Sequence, residues 1–377
     1  MASERSVTVG GVQIGGGAPV VVQSMTLTKT HDVPATTAQI AALADAGCEI
    51  VRVAVPKLED AEALPKIVRF SPIPVIADIH FNASLALKAI EAGVAAVRIN
   101  PGNIGGPDKV AEVVNAAKKV NMPMRIGANG GSLPKHLDEL AQQDQAEALV
   151  EAALEEVRLL EQLDYRNFKI SVKSSHVPTM IRAYRILASK VPYPLHLGVT
   201  EAGPPSTGAI KSAIGLGSLL ADGIGDTIRV SLTADPVDEV KVAWEILKSL
   251  GLRERGPILI ACPSCGRDNV GVQTLAEEVE TRLATYPEHF EVAVLGCAVN
   301  GPGESGDADF GIAGGRETGF IYAHGKVLKK VDSQILVDEL FREIDAWIAG
   351  GMHRPPRSRH AKPAALAMAE ASAIPLE

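Results

Sequence analysis

Eight times in succession, between residues 20 and 250, a short β-branched run is followed by a helical pattern, and this repetition restricts the fold more than any other property of the chain. The strand-like runs are 20–25, 50–55, 74–79, 96–101, 124–129, 168–173, 195–200 and 227–232. The helical patterns that follow them are 36–46, 58–68, 83–92, 108–119, 144–162, 177–189, 209–220 and 236–250. Strands separated by helices pair in parallel, because the helix supplies the crossover. So even a series fits an α/β fold of the closed (β/α)8, or TIM, barrel type better than its rival, a doubly wound open sheet. Ahead of the series, VTV and VQI flank Gly10 and Gly11, a pair suited to the positive φ of a tight hairpin turn. This hairpin is expected to serve as a lid or plug.

The pattern breaks at 251–257 (GLRERGP), a polar stretch with Gly and Pro, so a barrel domain is placed at 1–252 and a second domain at 256–350. A chain of 377 residues also exceeds what one core usually serves. The second domain is expected to be a small α+β unit: strand 258–261, helix 274–285, strand 291–295, two or three short strands over 309–330 and helix 333–349. From 351 to 377 no capped amphipathic pattern appears, and a loose tail is expected. A net charge of -8 argues against a nucleic-acid or anionic-membrane partner, either of which calls for a basic surface. The N-terminus lacks the apolar core of a signal peptide and no apolar run is long enough to span a bilayer, so a cytoplasmic location is expected.

Four cysteines are too few for a disulfide scaffold. Cys262 and Cys265 form a C-x-x-C pair in ACPSCGRDN, directly after a predicted strand, and Cys297 in LGCAVNGPGE also follows one. Three soft ligands on two Gly- and Pro-containing loops suit an iron-sulfur cluster, with Glu304 as the nearest candidate for a fourth, oxygen ligand. The same spacing is compatible with a structural zinc, or with a redox dithiol beside an unrelated Cys297. Cys48 lies at the start of a barrel strand and reads as a core thiol.

In a (β/α)8 barrel the active site lies at the C-terminal ends of the strands. Arg52, Arg98, Arg125, Lys173 and Arg229 lie within or at the ends of five apolar strands of an otherwise acidic protein. Like charges gathered at one mouth are costly unless an anion compensates them, and a phosphate or diphosphate is the natural guest. Each cation taken singly is equally well explained by an internal salt bridge to Asp78, Glu201 or another carboxylate. Glu201, Asp78 and His80 are candidates for proton transfer. Asn100, Asn129 and Ser231 are placed to orient hydroxyls or phosphates, and the glycine-rich loops at 101–106 and 128–132 offer backbone N–H groups to phosphate oxygens.

Ten segments in order, VGGVQIGGGAPVVVQSMT, VRVAVP, ADIHF, RINPGN, RIGANGGS, SVKSS, LGVTEAG, IRVSLT, CPSCGR and GCAVNGPGE, resemble the 4-hydroxy-3-methylbut-2-enyl-diphosphate synthase family of the methylerythritol phosphate route to isoprenoids, over about residues 6–350. The resemblance implies an oxidoreductase with a [4Fe-4S] cluster on Cys262, Cys265, Cys297 and Glu304. It implies 2-C-methyl-D-erythritol 2,4-cyclodiphosphate as substrate, opened and dehydrated with two electrons from a flavodoxin or ferredoxin. On the same grounds Arg52, Arg98, Arg125, Lys173, Arg229 and Ser231 would grip the diphosphate, and Glu201 would handle protons near the cluster. The inserted domain of plant members has no room in this chain. The runner-up, drawn from the residues alone, is a zinc-stabilised barrel lyase or epimerase acting on a sugar phosphate.

A helix at 236–250 runs from the catalytic end back to the opposite end over roughly 22 Å. The linker at 251–257 reaches at most about 25 Å. A homodimer is therefore expected, each cluster domain capping the partner's barrel, as the family resemblance also implies.

Overall fold

The computed structural model describes residues 3–102, 104–266, 268, 270–297, 308–315 and 317–354. Glu304 and the tail from 355 onward lie outside the described residues. The chain divides into two compact units, Met1–Arg253 and Glu254–Glu377.

The first unit opens with an antiparallel hairpin, β1 (Ser6–Val9) and β2 (Val12–Gly15), turning at Gly10 and Gly11 with φ of +55° and +91°. Eight parallel strands follow: β3 (Val21–Met25), β4 (Ile50–Ala54), β5 (Val75–Asp78), β6 (Ala96–Arg98), β7 (Met124–Ile126), β8 (Phe168–Ile170), β9 (His196–Leu197) and β10 (Thr227–Ile228). Their order is β8-β7-β6-β5-β4-β3-β10-β9, and a parallel bridge from Ile170 to Leu195 joins its two ends, so the sheet is a barrel. The outer helices are α1 (Val33–Asp45), α2 (Leu58–Phe70), α3 (Ala83–Glu91), α4 (Pro107–Lys119), α5 (Asp138–Gln143), α6 (Gln145–Gln162), α7 (Val177–Lys190), α8 (Pro205–Ala221) and α9 (Pro236–Ser249). Caps written in the sequence start several of them. Asp144 accepts from the N–H groups of Ala146 and Glu147, Asp235 from Val237 and Asn82 from Ser84, satisfying donors that a first helical turn leaves open.

The hairpin is a plug. Val7, Val9 and Ile14 pack on Val21, Ile50, Ile76 and Ala96, the first inward residues of the strands, and floor the barrel with apolar side chains. Trp244 and Arg253 tie the last helix to the same end. The Arg253 guanidinium lies over the indole and donates to Val20 O at 2.6 Å and Glu49 Oε1 at 3.0 Å.

Two differences from the expected elements have local causes. Helix α8 begins at Pro205 rather than 209, since proline is well suited to a first turn whose N–H is unbonded anyway. The short helix α5 is additional, because 133–143 carries no apolar period to mark it. The ladder of β7 stops at Ile126 where Gly127 turns to φ +139°. A Cβ there would stand 1.8 Å from Ser171 O.

In the second unit β11 (Ile258–Ala261), β12 (Glu291–Leu295), β13 (Phe310–Ala313), β14 (Thr318–Ala323) and β15 (Lys326–Asp332) form one sheet in that order. The first three run parallel and the last two antiparallel. Helices α10 (Val272–Leu283) and α11 (Leu336–Ala349) cover it through Val279, Leu283, Leu340, Phe341 and Ile344, packed with Phe290, Val292 and Phe310.

The close approach at Gly127 sets a first prediction. Gly127→Ala places a methyl group inside the van der Waals radius of a backbone carbonyl and forbids the native φ. It is expected to destabilise the barrel by about 2 kcal/mol or more, read as a lowered midpoint in urea unfolding.

Candidate functional site at the barrel mouth and the cysteine loops

Alternate residues of a barrel strand face inward. That period brings Arg52 of β4, Asp78 of β5 and Arg98 of β6 together. Asp78 is 4% exposed; its Oδ2 lies 3.3 Å from Arg52 Nε and its Oδ1 3.1 Å from Arg98 Nη1. Arg52 also donates to Met25 Sδ at 3.0 Å, while Arg98 meets the half-exposed His80 ring at 3.0 Å. Arg125 is 2% exposed and donates to Ser171 Oγ, but its Nη1 is buried without a partner.

Lys173 follows β8, is buried, and forms a parallel bridge with Asn129. Its ammonium crosses the strand at Gly198, where a Cβ would stand 3.0 Å from Nζ, so the missing side chain makes its seat. Arg229 lies 3.6 Å from Glu239 Oε2, and its Nε is buried and unpartnered. Asn100 is buried, its Oδ1 held by the Gly102 N–H at 3.0 Å. Ser231 is half-buried beyond β10. Glu201 is exposed beyond β9 in a left-handed conformation, φ +53°, rare for a glutamate and held by the loop around it.

The electrostatics follow from this crowding. Burial, then Arg125, Arg52, Arg229 and Arg98, push the Lys173 ammonium well below its ordinary pKa. Burial, then Arg52 and Arg98, do the same to Arg125. Arg52 is brought down to about 10 by burial, with Asp78 opposing. Burial alone would raise the Asp78 carboxyl, but Arg52, the His80 hydrogen bond and Arg98 outweigh it and hold the group well below the usual carboxylate range. Among the described residues Asp78 and Glu239 are the carboxylates paired with these five cations. The mouth therefore carries more cations than paired carboxylates among the described residues.

Sequence reasoning missed Glu239. It is 3% exposed on α9, accepts from Leu232 N at 2.9 Å and Ser24 Oγ at 3.3 Å, and burial pushes its carboxyl up against the pull of Arg229. The available signal was a glutamate on the face that Pro236, Val240, Ala243 and Leu247 bury. Glu156 was missed likewise: burial raises it to about 8, and it lines a cavity of about 410 Å³ beside Asn100.

In the second unit Cys262 N bonds to Val294 O at 3.0 Å, extending the β11–β12 ladder, and Cys262 Sγ accepts from Gly296 N at 3.2 Å. The Cys262–Cys265 loop and Cys297 therefore leave the same end of two neighbouring parallel strands. Asp268 rigidifies the first loop by accepting from the N–H groups of Val270, Gly271 and Val272. None of the four cysteines forms a disulfide. Cys48 is 2% exposed with its thiol raised to about 12 by burial, an unreactive core group.

Residues 4–244 match the family described as GcpE TIM-barrel domain, and residues 258–346 match the one described as GcpE protein C-terminal domain. The chain belongs to the GcpE family. A relative from Geobacter sulfurreducens, named 4-hydroxy-3-methylbut-2-en-1-yl diphosphate synthase (flavodoxin), is 56% identical over 348 residues, 92% of this chain and 99% of the relative. Relatives of the same name from Maridesulfovibrio salexigens and Clostridium perfringens are 56% and 54% identical over 91% and 90% of this chain, covering 96% and 98% of their own lengths. These GcpE relatives lend no support to the zinc-dependent lyase or epimerase. No helix of the described residues is long and apolar enough to cross a membrane.

Asp78→Asn leaves Arg52 and Arg98 buried without a counter-charge, and is expected to cost about 3–5 kcal/mol near neutral pH. Because the folded carboxyl is depressed, its contribution is complete above the unfolded pKa and is lost as pH falls through the lower folded value. The difference between wild type and variant should therefore be flat from pH 8 to 5 and shrink in more acid solution, as thermal denaturation across that range reports.

Proposed function

We propose that the chain reduces 2-C-methyl-D-erythritol 2,4-cyclodiphosphate to (E)-4-hydroxy-3-methylbut-2-enyl diphosphate, with electrons from a flavodoxin. The reaction takes two electrons and, counted to the trianionic product, one proton; the ring C–O bond to the phosphate breaks and one water leaves. The observation that carries this reading is the excess of buried cations over carboxylates at the mouth, which suits a diphosphate, in a chain more than half identical to synthases of that name.

In this reading Arg52, Arg98, Arg125, Lys173 and Arg229 bind the diphosphate with Ser231, and Asp78 fixes the forks of Arg52 and Arg98. Asn100 and Asn129 orient substrate hydroxyls, and Glu201, on its strained turn, holds the proton for the departing oxygen. Cys262, Cys265 and Cys297 would hold a [4Fe-4S] cluster, with Glu304 as fourth ligand. The donor set fits: three thiols leave adjacent strand ends, and one accepts a backbone N–H of the kind that tunes cluster potential. The cluster, when bound, supplies one-electron transfer twice per turnover. A cytoplasmic site of action, where flavodoxin is available, completes the assignment.

Arg253 is anchored beside Val20 and Glu49, at the floor of the barrel, so the chain leaves the first unit opposite the mouth. This supports a two-fold dimer in which the cluster of one protomer serves the partner's barrel.

Anaerobically purified protein should be brown and contain iron and sulfide, with the colour lost in Cys297→Ala. Reduced flavodoxin should drive turnover of the cyclodiphosphate; an iron-loaded, reduced sample that leaves it untouched overturns the assignment. For the dimer, Cys297→Ala and Arg125→Ala subunits, each inactive alone, should regain activity when mixed. Proven mixed dimers without recovery would refute the exchange of sites.

A further inference from the structure

Beneath the residues that line the mouth lies a second inward layer that the function above does not use. Lys169 lies on β8, two inward positions before Lys173 with Ser171 between them, so it faces the lumen deeper than the mouth. It is 1% exposed and donates across the lumen to Gln23 Oε1 at 3.3 Å and Thr227 Oγ1 at 3.4 Å. Among the described residues it has no salt bridge. Asp226, a carboxylate that acts on it through space, is occupied by Ser3 Oγ and Leu195 N, each at 2.8 Å.

The other groups around Lys169 are cationic or neutral. Arg125 is its register partner on β7, Arg52 faces it from β4, and His196 on β9 is wholly buried with both ring nitrogens unpartnered. Gln23 Nε2 and Arg125 Nη1 are also buried without partners. Below the layer, the apolar floor and the hairpin close it off. Burial first, then Arg125 and Arg52, bring the ammonium down to about 7, with Asp226 opposing; His196 is held well below its ordinary value by burial and the same cations.

We propose that Lys169 is a proton-uptake site coupled to the mouth: in mildly alkaline solution it is neutral while the mouth is empty and takes up a proton when the diphosphate binds above it. The inference rests on the proposed substrate. A bound diphosphate sets negative charge against Arg52 and Arg125, the cations that disfavour a proton on Lys169, and a low-dielectric interior transmits that change. By linkage the proton then strengthens anion binding in return. Substrate thus arrives with a positive charge installed under it, inside a layer that bulk water does not reach from below. Lys169 is a positioning residue for charge and touches no reacting atom.

The sign is fixed. A group protonated more readily in the complex takes up a proton between its value in the free enzyme and its higher value in the complex, and none well below or well above that window. The cyclodiphosphate is a clean probe, since each phosphoryl group carries one strongly acidic hydroxyl and does not titrate near neutrality.

The experiment is calorimetric titration of oxidised, cluster-loaded enzyme with the cyclodiphosphate at pH 6 and pH 8, in three non-phosphate buffers of different ionisation enthalpy. At pH 8, wild type should take up on the order of one proton more than Lys169→Met, and at pH 6 the two should agree. Above pH 7 wild-type affinity should fall with pH by up to tenfold per unit more than that of Lys169→Met. Lys169→Arg, charged throughout, should bind without this extra dependence and keep its affinity at pH 8. If Lys169→Met does not fold, the wild-type and Lys169→Arg profiles carry the test. Equal proton uptake in wild type and variants overturns the inference alone. Absence of binding in every buffer overturns the proposed function and this inference with it.

Discussion

The site is organised by one carboxylate. Asp78, buried at the end of β5, accepts from Arg52 on one neighbouring strand and Arg98 on the other, turning two mutually repelling guanidinium groups into a fixed pair of forks. Without it, burial of two arginines one strand apart on either side would be opposed by both desolvation and repulsion. With it, the remaining cations, Arg125, Lys173 and Arg229, are still undercompensated among the described residues, and it is this excess that the proposed diphosphate would answer. Stability and function conflict at this spot, and Asp78 sets how far the conflict goes.

Glycine does complementary work in the same interior. Gly127 lets β7 and β8 approach until a Cβ would meet a carbonyl oxygen, and Gly198 leaves the space through which the Lys173 ammonium passes. At Gly127 the missing side chain admits the neighbouring backbone at Ser171, and at Gly198 it admits the charged end of Lys173. Such absences fix the site's geometry as firmly as the arginines fix its charge.

Much of this was legible in the sequence for definite reasons. The eight βα units announce themselves by period, and Arg52, Arg98, Arg125, Lys173 and Arg229 stand out because cations are rare in apolar strands. The C-x-x-C pair and the separate Cys297 after successive strands mark the cysteine loops in the same way. What escaped notice depends on the third dimension. Glu239 reads as an ordinary helical glutamate until α9 is rotated against β3 and β10, and Lys169 reads as a strand-end lysine until the barrel closes around it. Pairing partners also could not be read: which carboxylate answers which arginine depends on strand register, and the short α5 follows from loop packing without an apolar period of its own. The domain-level pattern is encoded locally, whereas the electrostatic balance is a property of the closed ring.

The hairpin at the chain start bears on more than packing if the proposed function holds. Among the described residues it seals the floor under Val21, Ile50, Ile76 and Ala96, which leaves the C-terminal ends of the strands as the approach to the lumen. Under the proposed function substrate and product share that approach, so a product must clear the cationic rim before the next anion can enter. On that reading the grip that captures the substrate also delays departure, and the pace of exchange is set at the rim rather than in the depth of the fold.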